Sequence, residues 1–136
     1  MKLLIWYTDL FEFKTSRKGL ESVEDKEIHE SYNDCIVAFI QLEEKDEENL
    51  KSVETKMLKQ IKWAAKKNNT QSIILHSFAH LSASKAAPEN VEVLFNSAEE
   101  RLRNSGYEVH QTPFGYFLDL EMKAPGFPLA RLFKEF

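Results

Sequence analysis

Apolar residues along this chain alternate in short runs and twice settle into a helical period. Leu3-Leu4-Ile5-Trp6-Tyr7 opens a buried strand over residues 2–8. Phe11 and Phe13 flank Glu12 and predict a second strand. Residues 14–33 carry few apolar anchors, among them Leu20, Val23 and Ile28, and read as a long polar excursion, partly helical and mobile. Residues 34–43 are rich in β-branched and aromatic side chains and predict a third strand. A helix follows over 47–67, with Leu50, Val53, Met57, Ile61 and Ala64 on one face. Asp46 is placed to cap it, Glu47 and Glu48 suit its positive end, and Lys62, Lys66 and Lys67 suit its negative end.

Asn68-Asn69 breaks this pattern, and residues 71–78 predict a further strand. Pro88 suits the first position of a second helix, whose buried stripe is Val91, Leu94, Phe95, Ala98 and Leu102. Gly106 is a natural left-handed cap. A strand to about Gln111, a bend at Pro113 and a strand over Tyr116–Met122 complete the body. The tail from Lys123 to Phe136 reads as a Pro/Gly turn and a short apolar helical segment, with Phe133 and Phe136 available to dock. The order β-β-β-α-β-α-β-β predicts one α/β (α+β) domain over residues 1–136, with a mixed sheet and two principal helices.

Composition narrows the function classes. At 136 residues the chain suffices for one core. Its net charge of -4 argues against gripping nucleic acid over a large area, but permits contact with an RNA end. No apolar run approaches the ~18 residues that span a bilayer, and Thr8, Asp9 and Glu12 interrupt the N-terminus too early for a secretory signal. These features suit a cytoplasmic protein with no membrane partner. Cys35 is the only cysteine, so an intrachain disulfide is impossible; it reads as a small buried strand residue.

Candidate chemistry is sparse. His76 and His80 straddle a strand end, and no third ligand falls at metal-site spacing, so neither a metal nor another cofactor is expected. His76 reads as structural. His80 begins a loop leaving the sheet, where a hydrogen-bonded structural role and a site role stand equal on local grounds. Ser82 and Ser84 lack a nucleophile elbow, and the four glycines form no phosphate cradle. On the first helix, Lys51, Lys56, Lys59, Lys62, Lys66 and Lys67 oppose the apolar stripe, with Trp63 among them. Trp63, Lys59 and Lys66 are therefore candidate RNA contacts, against the plainer reading of a solvated face. Glu54 lies close to the apolar face and needs a basic partner or a place at the core's edge.

Two stretches carry a resemblance: Ser77-Phe78-Ala79-His80-Leu81-Ser82 and Thr112-Pro113-Phe114-Gly115-Tyr116. With Tyr7-Thr8-Asp9, Val37-Ala38-Phe39-Ile40, the proline-started helix, Gly106-Tyr107 and Gly126-Phe127-Pro128-Leu129, they resemble, in order along nearly the whole chain, the editing domain of archaeal threonyl-tRNA synthetases. The resemblance implies a D-aminoacyl-tRNA deacylase-like fold, a homodimer, and hydrolysis of Ser-tRNA(Thr). The partners it implies are the seryl-bearing 3′ end of tRNA(Thr) and the remaining synthetase domains. It implies a pocket lined by Ser77, Phe78, Ala79, Tyr116, Phe117 and Leu42, with His80 as the catalytic candidate. In that family, backbone groups and the terminal adenosine 2′-hydroxyl are thought to do much of the chemistry. The chain has no Gly-Pro dipeptide, which disfavours the chirality filter of D-aminoacyl-tRNA deacylases.

Three positions depart from the resemblance. Leu118 stands where the family commonly has lysine, Arg131 where it has glutamate, and Tyr7 where it has histidine. Loss of the lysine and glutamate together is consistent with an ion pair replaced by apolar contact. It also motivates two alternatives: a non-catalytic module that binds the tRNA end, and a dimerisation module.

Overall fold

The computed structural model describes residues 1–136. In chain order the elements are β1 (Lys2–Lys18), β2 (His29–Gln41), α1 (Leu50–Lys67), β3 (Ser72–Ser77), α2 (Pro88–Asn104), β4 (Glu108–Gln111), β5 (Tyr116–Lys123) and β6 (Arg131–Glu135). Short 3-10 turns precede α1 and β6. The sheet runs β4-β3-β2-β1-β5, and β6 also pairs with β1. β2–β3 and β3–β4 are parallel; the other pairings are antiparallel. The expected single domain with a mixed sheet and two helices is therefore what forms.

The placement of the helices follows from connection geometry. β2-α1-β3 and β3-α2-β4 both step in the same direction across the sheet. Right-handed crossovers then put both helices on one face. Leu3, Ile5, Ile36, Ala38, Ile40, Ile73 and Leu75 meet Met57, Ile61, Leu94, Phe95 and Leu102 there, forming the larger core. Glu54 does find its basic partner: Arg101 Nη1 lies 2.6 Å from it and the Ser97 hydroxyl 2.9 Å, a link between the two helices.

Four sequence expectations need correction. β1 is one strand of seventeen residues, not two, because β2 keeps one register on either side of Asp9, pairing Thr8 with Cys35 and Leu10 with Asn33. The supposed excursion over 14–33 is half sheet: residues 14–18 belong to β1 and 29–33 to β2, and Lys14 pairs with His29. Sequence patterning missed this because the outer hairpin is solvated on one side and its charged side chains hide the alternation. The tail forms a 3-10 turn at Pro128–Ala130 and then β6, rather than a helix. Lys2 to Trp6 leave an edge open, and backbone pairing from β6 satisfies it. Asp46 caps the 3-10 turn by accepting from the Glu43 N–H at 2.8 Å, while Asn49 caps α1.

The second core explains how the long hairpin serves the site. Leu4 and Trp6 lie on even positions of β1 and Phe11 and Phe13 on odd ones, yet all four belong to one cluster with Cys35, Val37 and Phe39. The hairpin must coil between Thr8 and Phe11. Asp34, with φ of 51°, marks that place on β2. The outer half of the hairpin then folds over the second face of the sheet, bringing the Phe11 ring centroid to 6.4 Å from that of His76.

Candidate active site

A cleft of about 420 Å³ opens where β2 and β3 end. The carboxyl ends of parallel strands are where α/β sheets commonly bind ligands. One wall is the chain from His76 to Ala86. The facing wall is Thr112 to Leu118, and Gly19 and Leu20 of the β1–β2 connection close one side. Ser77, Phe78, Ala79, His80, Tyr116, Phe117 and Leu42 all line this cleft. The residues named from the sequence thus line one cleft, although Leu42 and Phe117 are 75 residues apart. Trp63, Lys59 and Lys66 lie on α1 and do not line the cleft. Trp63 is 42% exposed, with Lys67 Nζ 5.8 Å from its ring centroid.

Gln41 is the residue that builds the first wall, and sequence reasoning passed over it. It is buried at the end of β2. Its Oε1 accepts from the N–H groups of Leu81 (2.6 Å) and Ser82 (2.8 Å). Its Nε2 donates to the carbonyls of Ser82 (2.8 Å) and Ser84 (3.0 Å). One amide thereby satisfies four backbone groups of a loop that has no secondary structure of its own. Glu43 adds a second anchor by accepting from the Ser82 hydroxyl at 2.7 Å and from the Met1 ammonium at 2.7 Å. Burial pushes the Glu43 carboxyl up, but hydrogen bonds from Met1 and Ser82 and the nearby positive charges hold it down at about 2. The only sequence signal for these roles is a polar residue, Gln41, at the end of an otherwise apolar strand.

The second wall is held differently. The Gly115 carbonyl accepts from the N–H groups of Gly19 (2.6 Å) and Leu20 (3.1 Å). Gly115 has φ of 87°, and a Cβ there would meet Val23 Cγ1 at 2.7 Å. Both observations require glycine. The Tyr116 hydroxyl donates to the Glu24 carbonyl. The register of β1 against β5 shifts between Thr15 and Arg17, a bulge beside Phe117 and Leu118.

The chemistry available in the cleft is modest. Its lining contains no carboxylate. His76 is buried, its Nδ1 lies 2.9 Å from the Thr112 hydroxyl, and burial lowers its pKa to about 4, so it is neutral at pH 7. It joins the two walls, as the structural reading of His76 anticipated. His80 is exposed; its ring packs edge-on to Phe78 at 5.1 Å and has no hydrogen-bond partner. No acid orients it, so it belongs to no triad. The backbone N–H groups of Ala79 and His80 also have no intramolecular acceptor, whereas Leu81 and Ser82 are both engaged. Two successive free donors in a cleft are suited to a developing oxyanion.

The departing positions are accommodated by packing. Leu118 packs against the second core and lines the cleft. The Arg131 guanidinium lies 5.3 Å from the Trp6 ring and donates to the Pro125 carbonyl at 2.7 Å, outside the cleft. The Tyr7 hydroxyl donates to Asp34 at 2.5 Å, and that bond, with burial and the nearby charge, pushes the phenol up to about 12.

All 136 residues match the family described as the archaea-specific editing domain of threonyl-tRNA synthetase. The chain belongs to that family. Relatives of this editing domain include threonine–tRNA ligases from Thermococcus kodakarensis, 33% identical, and Thermococcus gammatolerans, 32% identical, each over 97% of the chain. The chain spans 22% of the length of each of these relatives. Among solved structures, the c-Myc DNA Unwinding Element Binding Protein superposes with a TM-score of 0.67 at 15% identity, covering 99% of this chain and 98% of that one, which shows a shared fold. The fold of the editing domain is the D-aminoacyl-tRNA deacylase-like one that the sequence resemblance implied. No helix is long and apolar enough to cross a membrane.

Proposed function

We propose that this domain hydrolyses the ester of mischarged Ser-tRNA(Thr), releasing serine and free tRNA. The observation that carries the proposal is a cleft, in an editing domain of a threonyl-tRNA synthetase, that is lined by Ala79 and His80, whose N–H groups have no intramolecular acceptor, and that contains no carboxylate. Serine lacks one methyl of threonine, and a pocket gains only ~1–3 kcal/mol of selectivity from such a difference, so a separate site that accepts only the smaller residue is needed for fidelity. The scissile bond is an activated ester whose leaving group is a ribose oxygen of the terminal adenosine. Water attacks its carbonyl carbon, the carbonyl oxygen takes the negative charge beside the Ala79 and His80 N–H groups, and the ribose oxygen leaves with a proton. Ser77, Phe78 and Leu42 shape the seryl end, and Tyr116 and Phe117 face the terminal nucleoside. The adenosine 2′-hydroxyl relays the proton, with His80 ordering the attacking water at the rim.

The test is to incubate the protein with Ser-tRNA(Thr) and Thr-tRNA(Thr). Loss of serine alone is the expected result; binding without turnover favours the non-catalytic alternative. Terminal 2′-deoxyadenosine should abolish turnover, and full activity on that substrate would sink the hydroxyl-assisted route.

A further inference from the structure

Lys85 is the one lysine or arginine that lines the cleft. It forms no ion pair and no side-chain hydrogen bond within the protein. Of the four acids on the 43–47 turn, three are already engaged; the fourth, Glu44, donates its N–H to the Ser84 hydroxyl at 2.9 Å and forms no ion pair. Glu43 and Asp46 hold the Met1 ammonium, and Glu47 accepts from the Ala87 N–H at 3.0 Å and from the Asn90 amide. The backbone on either side of Lys85 is fixed: the Ser84 carbonyl accepts from Gln41 and the Ala86 N–H donates to the Leu42 carbonyl at 3.1 Å. An unpaired ammonium on a pinned loop, at the edge of a cleft with no carboxylate, calls for an anionic ligand group.

A seryl-tRNA end supplies one anion at the required scale. Its α-amino group is cationic and its carboxyl is esterified, so the aminoacyl moiety carries no negative charge. The nearest negative charge is the phosphodiester on the 5′ side of the terminal nucleoside. We propose that Lys85 binds this phosphate, so that the cleft recognises a terminal nucleotide rather than a nucleoside; this rests on the deacylase reading above. Phe117, which is 54% exposed on the opposite wall, gives the base a face to pack on. Lys85 then positions the ester without touching it. The residue acts by charge, so arginine should serve in its place.

Two measurements test this. The first is binding of adenosine 5′-monophosphate and of adenosine, with no ester present. Wild type should prefer the monophosphate by about tenfold, the preference should vanish in Lys85→Ala, and Lys85→Arg should restore it. Equal preference in wild type and Lys85→Ala overturns the proposal. The second is kinetic. Lys85→Ala should raise KM for Ser-tRNA(Thr) by about tenfold with kcat unchanged, and reduce the salt dependence of KM by about one phosphate contact. On seryl-adenosine, which lacks the phosphate, the variant should match wild type. A fall in kcat, or an equal loss on seryl-adenosine, places Lys85 at the ester instead and overturns the proposal. If wild type leaves Ser-tRNA(Thr) intact while the Lys85-dependent monophosphate preference persists, the deacylase reading fails and the phosphate site stands.

Discussion

The two walls of the cleft are both irregular backbone, yet they are held by opposite means. The wall over 78–85 is fixed by side chains reaching out from the end of β2 and the turn just after it, with Gln41 and Glu43 supplying the hydrogen bonds that a neighbouring strand would otherwise provide. The wall over 112–118 is fixed by the absence of a side chain: Gly115 lets the β1–β2 connection approach and bond directly to its carbonyl. The first arrangement depends on buried polar groups and is sensitive to their removal or protonation. The second depends mainly on close packing and backbone conformation, with the His76–Thr112 hydrogen bond as its one titratable contact. The contrast shows how a fold can hold two loops in register around a ligand-sized space, with the His76–Thr112 hydrogen bond as the direct link between them.

Gln41→Leu attacks the first wall most directly. It leaves two N–H groups and two carbonyls of the 81–84 segment without partners. About 3 kcal/mol or more of stability should be lost, given ~1–3 kcal/mol for each stranded buried group that water cannot reach. Chemical denaturation gives the total, and amide exchange should quicken at Leu81 and Ser82 while Gly19 and Leu20 stay protected. Equal quickening on both walls would show that they are not independently held.

Gly115→Ala makes the reciprocal break. A Cβ at 2.7 Å from Val23 on a left-handed residue should cost about 1–3 kcal/mol. Adding Val23→Ala should recover the packing part and leave the conformational part. A neutral Gly115→Ala would remove the account of why glycine stands there.

Acid acts in graded steps rather than by a single break, and it should touch the walls in sequence. His76 is held near 4, below its ordinary 6.5, so the unfolded chain takes the proton first and stability falls as pH drops between those values. Glu43 is held at about 2, below its ordinary 4.5, so its contribution is complete above about 4.5 and lost as pH falls toward about 2. Stability against pH should therefore decline in two stages. His76→Gln should flatten the upper stage alone, and in the lower stage the Ser82–Ser84 signals should broaden before those of Phe114–Tyr116. A single transition with all signals moving together would merge the two walls into one unit.

Much of the site was legible in the residues because short motifs carry it. Ser77 to Ser82 and Pro113 to Tyr116 are local stretches whose resemblance marked both walls before any geometry was known. What was illegible was long-range. Gln41 acts on residues 40 positions away, and nothing in its own neighbourhood says that its amide turns toward a loop. Gly19, Leu20 and Val23 lie in a polar stretch that looked like an excursion, because half-solvated antiparallel strands with charged outer faces give weak alternation. Lys85 looked like one charge among many until the cleft set it apart as the one unpaired ammonium facing it.

The sequence alone determined the helices with their apolar stripes, the central strands, the family, and the segments from which the cleft is made, since each is encoded in neighbouring residues or in motifs kept in order. The tertiary structure alone decided that β1 is continuous, that its hairpin coils at Asp34 to cover the second face, and that the tail returns as β6. It also decided which polar side chains hold the loop and which one is left free to meet a ligand. Those outcomes depend on pairing between distant strands and on the exhaustion of nearby partners, and neither quantity exists until the chain has folded.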